Sequence, residues 1–181
     1  MKIAQDRRAS DKSITLIVDS TGLKIHDGCG WHEEKHGTRK VRKTWRKLHI
    51  ALDPDTGASA AAELIAEHVG DETALRDLLA SIESDVAQFL ADGAYGGPGV
   101  ADCLVDKFGP EIEIIIPPPK NAVPGANIQR NQHIDAVAEH GRMKWQSQTG
   151  YNQRSRVEAQ IASKALNRMT ALGRAAYERV F

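Results

Sequence analysis

Two aspartates in this chain stand directly after apolar runs and directly before turn residues. Asp19 follows Ile14-Thr15-Leu16-Ile17-Val18 and precedes Ser20-Thr21-Gly22. Asp92 follows Val86-Ala87-Gln88-Phe89-Leu90-Ala91 and precedes Gly93-Ala94-Tyr95-Gly96. A carboxylate at such a strand exit is open at the rim of a sheet yet held by a rigid core. Two of them on neighbouring strands would repel and need a cation between them. An all-oxygen donor set favours Mg²⁺ or Mn²⁺. Asp also opens turns for purely local reasons, which accounts for each residue taken singly. A third acid, Glu158, follows Tyr151 and Arg154 by seven and four residues, so the three lie near one face of a helix. A Glu one turn from an Arg is ordinarily a surface ion pair of under ~1 kcal/mol. The functional alternative turns Glu158 toward the two aspartates while Arg154 and Tyr151 hold a phosphate.

Charge is the second signal. The 181 residues carry 24 Lys+Arg against 24 Asp+Glu, so the total is silent about partners. Its distribution is not. Residues 31–50 hold Lys35, Arg39, Lys40, Arg42, Lys43, Arg46 and Lys47 against Glu33 and Glu34 alone, whereas residues 51–116 are mostly acidic. A basic run of this kind can grip phosphates, with Trp45 available to stack on a base; the plain alternative is a solvated strand face. His26, Cys29, His32 and His36 have the spacing of zinc ligands. One polar loop with a single Cys is, however, a poor match to the paired knuckles of a structural zinc site. Neither the dinucleotide fingerprint nor the P-loop spacing is present around Gly96-Gly97-Pro98-Gly99, so that stretch reads as a helix entry. No Gly-x-Ser-x-Gly surrounds Ser20. Cys29 and Cys103 make no disulfide framework, which fits a reducing cytosol. No apolar run approaches the ~20 residues of a membrane span.

The elements that must position these residues follow from periodicity. Residues 1–13 are polar and read as a frayed start; 14–181 read as one core. Ile14–Val18 is a buried strand ending at Asp19. Leu48–Leu52 and residues 58–67 alternate and flank Asp53-Pro54-Asp55-Thr56-Gly57, a turn in which Pro fixes φ and Gly takes a positive φ; together they form an antiparallel hairpin. Asp71-Glu72-Thr73 opens a helix over 74–82 with acids at its positive end. A strand over 86–91, a helix over 100–105 and a strand over 112–116 follow, the last stopped by Pro117-Pro118-Pro119. Residues 117–150 read as a long loop with one short helix near 132–140. The final element is a helix over 153–172 striped by Val157, Ile161, Ala165, Met169 and Leu172. Three strands followed by alternating helices and strands make an α/β mixed sheet flanked by helices, an order shared with the ribonuclease-H-like fold.

Together these residues resemble a DDE-type insertion-sequence transposase, of the group whose third acid lies in a Tyr-x2-Arg-x3-Glu-x6-Lys motif. Tyr151-Asn-Gln-Arg154-Ser-Arg-Val-Glu158 matches its first three positions. Val18-Asp19-Ser20-Thr21-Gly22-Leu23-Lys24, Lys43-Thr44-Trp45-Arg46-Lys47-Leu48-His49 and Leu90-Ala91-Asp92-Gly93-Ala94-Tyr95 resemble the segments around the first two acids. The resemblance runs from about Ile14 to the C-terminus. It implies Asp19, Asp92 and Glu158 as catalytic metal ligands holding two Mg²⁺ or Mn²⁺ ions. It also implies DNA contacts from Tyr151, Arg154, Arg42, Lys43, Trp45, Arg46, Lys47 and Lys164. The activity implied is cleavage of insertion-element ends and strand transfer into target DNA. The place implied is the bacterial cytoplasm, at the nucleoid, as a homodimer or paired with a full-length transposase.

Two departures bear on activity. The motif's Lys falls at position 165, which is Ala; Lys164 lies one residue early, about 120° around the helix from Glu158. Ala165-Leu166-Asn167-Arg168-Met169 also arrives sooner after Glu158 than the family's pattern has it, and the family's further N-terminal region has no counterpart here. The expectation is a truncated, internally deleted member. Its alternatives to full transposition are an inactive remnant that binds DNA or the full-length enzyme, and a nuclease that hydrolyses DNA without joining it.

Overall fold

The computed structural model of the chain describes residues 13–24, 45–66, 68–155 and 157–159. The candidate zinc loop (His26, Cys29, His32, His36), Arg42, Lys43, Lys164, the start of the chain and the part of the expected final helix beyond 159 lie outside them. The described chain runs β1 (Ile14–Lys24), β2 (Trp45–Leu52), β3 (Ser59–Ala66), α1 (Asp71–Ala80), β4 (Val86–Leu90), a 3₁₀ turn (Gly93–Tyr95), α2 (Val100–Phe108), β5 (Glu113–Ile115), α3 (Ile128–His140), α4 (Arg142–Gln148) and a 3₁₀ turn (Tyr151–Gln153) that enters a further helical segment. The five strands form one mixed sheet in the order β3-β2-β1-β4-β5. β2 runs antiparallel to β1 and β3, while β1, β4 and β5 are parallel. This mixed α/β architecture is compatible with a ribonuclease-H-like fold.

Period-two alternation sorts the strand residues onto two buried faces. Leu16, Val18, Phe89, Ala91 and Ile114 pack with Leu75, Leu78 and Leu79 of α1 and with Leu104 of α2. Ile17, Leu52, Leu90 and Ile115 point the other way and pack with Trp145 of α4, Tyr151 and Val157. Helices thus cover both faces, as strands with near-continuous apolar sequences require. The β2–β3 turn forms as its residues dictate. Asp53 Oδ1 accepts the Asp55 N–H and Oδ2 accepts the Thr56 hydroxyl, at 3.0 and 2.7 Å, while Gly57 takes φ +66°.

Two expectations are corrected. β1 does not end at Asp19: it continues to Lys24, because β2 pairs with it antiparallel through Lys24↔Trp45. Its pairing with β4 does stop, at Ile17↔Leu90. Residues 117–150 are less of a loop than their composition suggests: the short helix expected near 132–140 is present but starts earlier, at Ile128, and α4 follows it. Helix α3 buries no residue fully, so no apolar stripe announces it. Polar side chains hold it instead. Gln129 accepts the Ile114 N–H and donates to the Ile112 carbonyl, both at 2.9 Å, and His133 Nε2 donates to the Ile114 carbonyl at 2.8 Å. These bonds seal the outer edge of β5, which would otherwise be left to pair with another strand.

Candidate active site

The last paired position between β1 and β4 is Ile17↔Leu90, and Asp19 and Asp92 each lie two residues beyond it. They therefore flank the mouth of a split in the sheet, at matching heights. Asp19 shares a face with Ile17, the face that Tyr151 and Val157 cover. Local bonds fix both carboxylates. Asp19 Oδ1 accepts the Ser20 N–H at 3.0 Å, and Asp92 Oδ1 caps the following 3₁₀ turn by accepting the Ala94 N–H at 2.9 Å.

Arg154 reaches over the same face from the C-terminal end of the 3₁₀ turn that starts at Tyr151. Its Nη2 donates to Asp19 Oδ1 at 3.1 Å and lies 4.0 Å from Asp92 Oδ2 and 3.7 Å from Glu158 Oε1. All three acids thus stand within one short radius of a single guanidinium nitrogen. Exposure rises from 13 % at Asp19 to 34 % at Asp92 and 64 % at Glu158. Among the described residues no three His, Cys, Asp or Glu side chains are spaced to ligate one ion directly; these three share the arginine instead.

The arginine is itself held in place. Its Nη1 donates to the Tyr151 hydroxyl at 2.7 Å, and Tyr151 leans on Trp145, with ring centroids 5.3 Å apart. Trp145 Nε1 donates to His133 Nδ1 at 3.1 Å, while His133 Nε2 bonds the Ile114 carbonyl. An indole N–H can only donate and a carbonyl can only accept, so His133 carries its proton on Nε2. A continuous chain of contacts therefore runs from the backbone of β5 through His133, Trp145 and Tyr151 to Arg154. Arg154 Nε is buried without a partner, a cost retained beside the acids.

Electrostatics follow from this crowding. Burial pushes the Asp19 carboxyl above its usual range, Arg154 and the Ser20 N–H oppose that rise, and Asp92 and Glu158 reinforce it. Burial works against the charge on Arg154, but the Tyr151 hydroxyl and the acids outweigh it and its pKa is raised.

The sequence-derived candidates divide as follows. Asp19, Asp92, Glu158, Arg154 and Tyr151 are brought together. Arg46 lies on the same face of β2 as Ile50, which pairs with Asp19; Trp45 and Lys47 lie on the opposite face. There Lys47 donates to Asp71 at 3.0 Å. The basic strip is thus split by the pleat within β2. Three residues of the site's support were given no role from the sequence: His133, His49 and Tyr95, the last two lying within the segments that resemble those around the first two acids. His49 falls on the polar phase of the alternation Leu48-His49-Ile50-Ala51-Leu52, so the pattern predicts exposure, whereas the structure buries it.

A family model described as Transposase DDE domain matches residues 10–168. No solved structure matches the chain.

Proposed function

Because the chain belongs to the transposase DDE-domain family, we propose that it is the catalytic core of a DNA transposase, which cleaves insertion-element ends and joins them to target DNA. The observation that carries this reading is the convergence of Asp19, Asp92 and Glu158 on one cationic nitrogen. Three hard-oxygen donors this close must share a positive charge, and the family generally uses divalent ions. The donor set fits Mg²⁺ or Mn²⁺, and Asp19, Asp92 and Glu158 would hold two such ions. When bound, they polarise the scissile phosphate and lower the pKa of the attacking hydroxyl or water.

The chain's own residues do the rest. Asp19 and Asp92, tied to backbone N–H groups on either side of the sheet's split, give a fixed platform. Glu158, the most exposed of the three, comes from the helical segment and closes the site from above. Arg154 neutralises the acids, and on withdrawing from them it presents a planar fork suited to a DNA phosphate. Tyr151 limits that withdrawal to an arc about its hydroxyl. Arg46 extends positive charge along the same face.

The test is an end-nicking and strand-transfer assay with Mg²⁺ on duplex DNA carrying the element's ends. Metal-dependent nicking and joining, both lost in Asp19→Asn and Asp92→Asn, is expected. A second reading is favoured by Ala165 at the motif's Lys position: an inactive remnant that binds DNA or a full-length partner. Retained DNA binding with no metal-dependent nicking would select it. Nicking without joining would select a nuclease.

A further inference from the structure

At the level of Asp19 and Asp92 the sheet has lost its β1–β4 ladder, because pairing stops at Ile17↔Leu90. Beyond that last pair no β1–β4 backbone bond holds the two acids at a set distance. Beneath them, on the opposite face of β1, a side-chain bridge spans the split. Ser20 pairs with His49 across β1–β2, and both point away from the acids. His49 Nδ1 meets the Tyr95 hydroxyl at 2.7 Å, with the rings edge to face at 6.0 Å. Tyr95 ends the 3₁₀ turn that Asp92 caps, and its own N–H bonds the Asp92 carbonyl at 3.2 Å. Both side chains are fully buried. β2 is therefore joined directly to the turn after β4, with β1 lying between them in the sheet.

We propose that His49 and Tyr95 are positioning residues: a buried strap under Ser20 that sets the spacing of Asp19 and Asp92 where the strand ladder no longer does. The strap rests on the metal-site reading for its purpose, not for its geometry. The structure shows why histidine suits the position. His49 Nε2 is buried without a hydrogen bond, 3.7 Å from Asp71 Oδ1, while Lys47 holds that same oxygen at 3.0 Å. A leucine would fill this space without leaving a ring nitrogen unpaired. The nitrogen is kept, and the bond it makes possible on the other side of the ring is the one to Tyr95.

Four proteins test this: wild type, Tyr95→Phe, His49→Leu and His49→Asn, whose amide can stand in for Nδ1. The first readout is amide exchange at Ser20, Ala94 and Tyr95, with the core amides of Leu16 and Phe89 as the control for folding. The second is binding of Mn²⁺ alone, followed by the loss of its free-ion magnetic resonance signal. In Tyr95→Phe and His49→Leu we expect faster exchange at the three site amides with unchanged core exchange. We also expect Mn²⁺ binding weakened by about 10–100-fold, the usual effect of losing a partner that orients metal ligands. His49→Asn should recover most of both. Site amides as protected in Tyr95→Phe as in wild type would overturn the strap, as would unchanged Mn²⁺ affinity. Failure of wild type to bind Mn²⁺ would sink the metal reading instead, and the exchange arm would still decide the strap.

Discussion

Replacing Arg154 by glutamine removes a positive charge that the three carboxylates share, and the structure sets the size of the effect. The contact that matters is with Asp19: a 3.1 Å charge-assisted bond between groups 16 % and 13 % exposed, worth about 1.5–3 kcal/mol. The approaches to Asp92 and Glu158, at 4.0 and 3.7 Å, exceed hydrogen-bonding distance, and Glu158 is 64 % exposed, so solvent screens them to a minor contribution. Glutamine can keep part of the bond to Tyr151. In chelator, Arg154→Gln should therefore lose about 2–3 kcal/mol. In a chain of this size that lowers Tm by roughly 4–12 °C. Divalent ions should then reverse the ranking of gains. In wild type an entering ion and the guanidinium compete for the same oxygens; in the variant they do not. If removing that competition tightens Mn²⁺ binding tenfold, saturating ion stabilises the variant by about 1.4 kcal/mol more than wild type. Thermal melts with chelator and with Mn²⁺, on both proteins, measure the two effects. Equal melting in chelator would show that the acids do not depend on Arg154. Equal stabilisation by Mn²⁺ would show that the ion binds elsewhere or without displacing it.

Asp19→Asn and Asp92→Asn should each lower metal-dependent DNA nicking by about 10³-fold, the equivalent of several kcal/mol of metal-borne stabilisation, read in a plasmid-nicking assay. Asp19→Asn should meanwhile leave the fold at least as stable at pH 7. Because the folded-state pKa of Asp19 is raised above its usual 3.8, stability is lost as pH rises through that raised value, and a neutral side chain escapes the loss. Denaturant melts at pH 7 and pH 4 should show the advantage of the variant shrinking at the lower pH. For His49, burial lowers the pKa below the usual 6.5, so the unfolded state takes up the proton first and stability falls as pH drops below about 6.5. His49→Asn should flatten that slope in melts between pH 5 and 7. Arg46→Ala should reduce the salt slope of DNA binding by about 1, whereas Lys47→Ala, already engaged by Asp71 on the other face, should change it less.

What the sequence revealed depended on whether a residue's reason for being there was local. The apolar run of β1, the β2–β3 turn at Asp53–Gly57 and the acids of the first turn of α1 each carry their cause within a few residues, and they are read correctly. The extent of β1 is not local. Its last five residues, Ser20–Lys24, contain a Gly and two hydroxyl residues and read as a turn, yet β2 pairs with every one of them. Only the second half of helix α3 is legible, as the short helix near 132–140, for a related reason: its anchors, Gln129 and His133, bond to strand backbone far away in sequence, and period-3.6 hydrophobicity has no means of recording that. The three acids were legible as chemistry from their types, but their common partner was not. Arg154 reads as a surface ion-pair partner of Glu158, or as a phosphate ligand, until the fold brings Asp19 to its other side.

The site's position follows from a conflict within the sheet. β1 is pulled one way by an antiparallel neighbour that accompanies it to Lys24, and the other way by a parallel neighbour that leaves it at Ile17. Beyond that point β1 is extended, buttressed on one edge and open on the other. Such a strand can present a carboxylate from a rigid base into open space, where a ladder of backbone bonds would have closed the gap. Asp92 meets the same opening from the far side, because β4 stops at Leu90 and turns. Rigid strands thus set the two aspartates, while Glu158 arrives on a separate helical segment and is the most exposed of the three. Placement of the first pair should therefore tolerate changes in the helical segment. Glu158 is the acid whose position such changes would alter, and residues 161–165, next in the sequence, are where this chain departs from the motif it resembles.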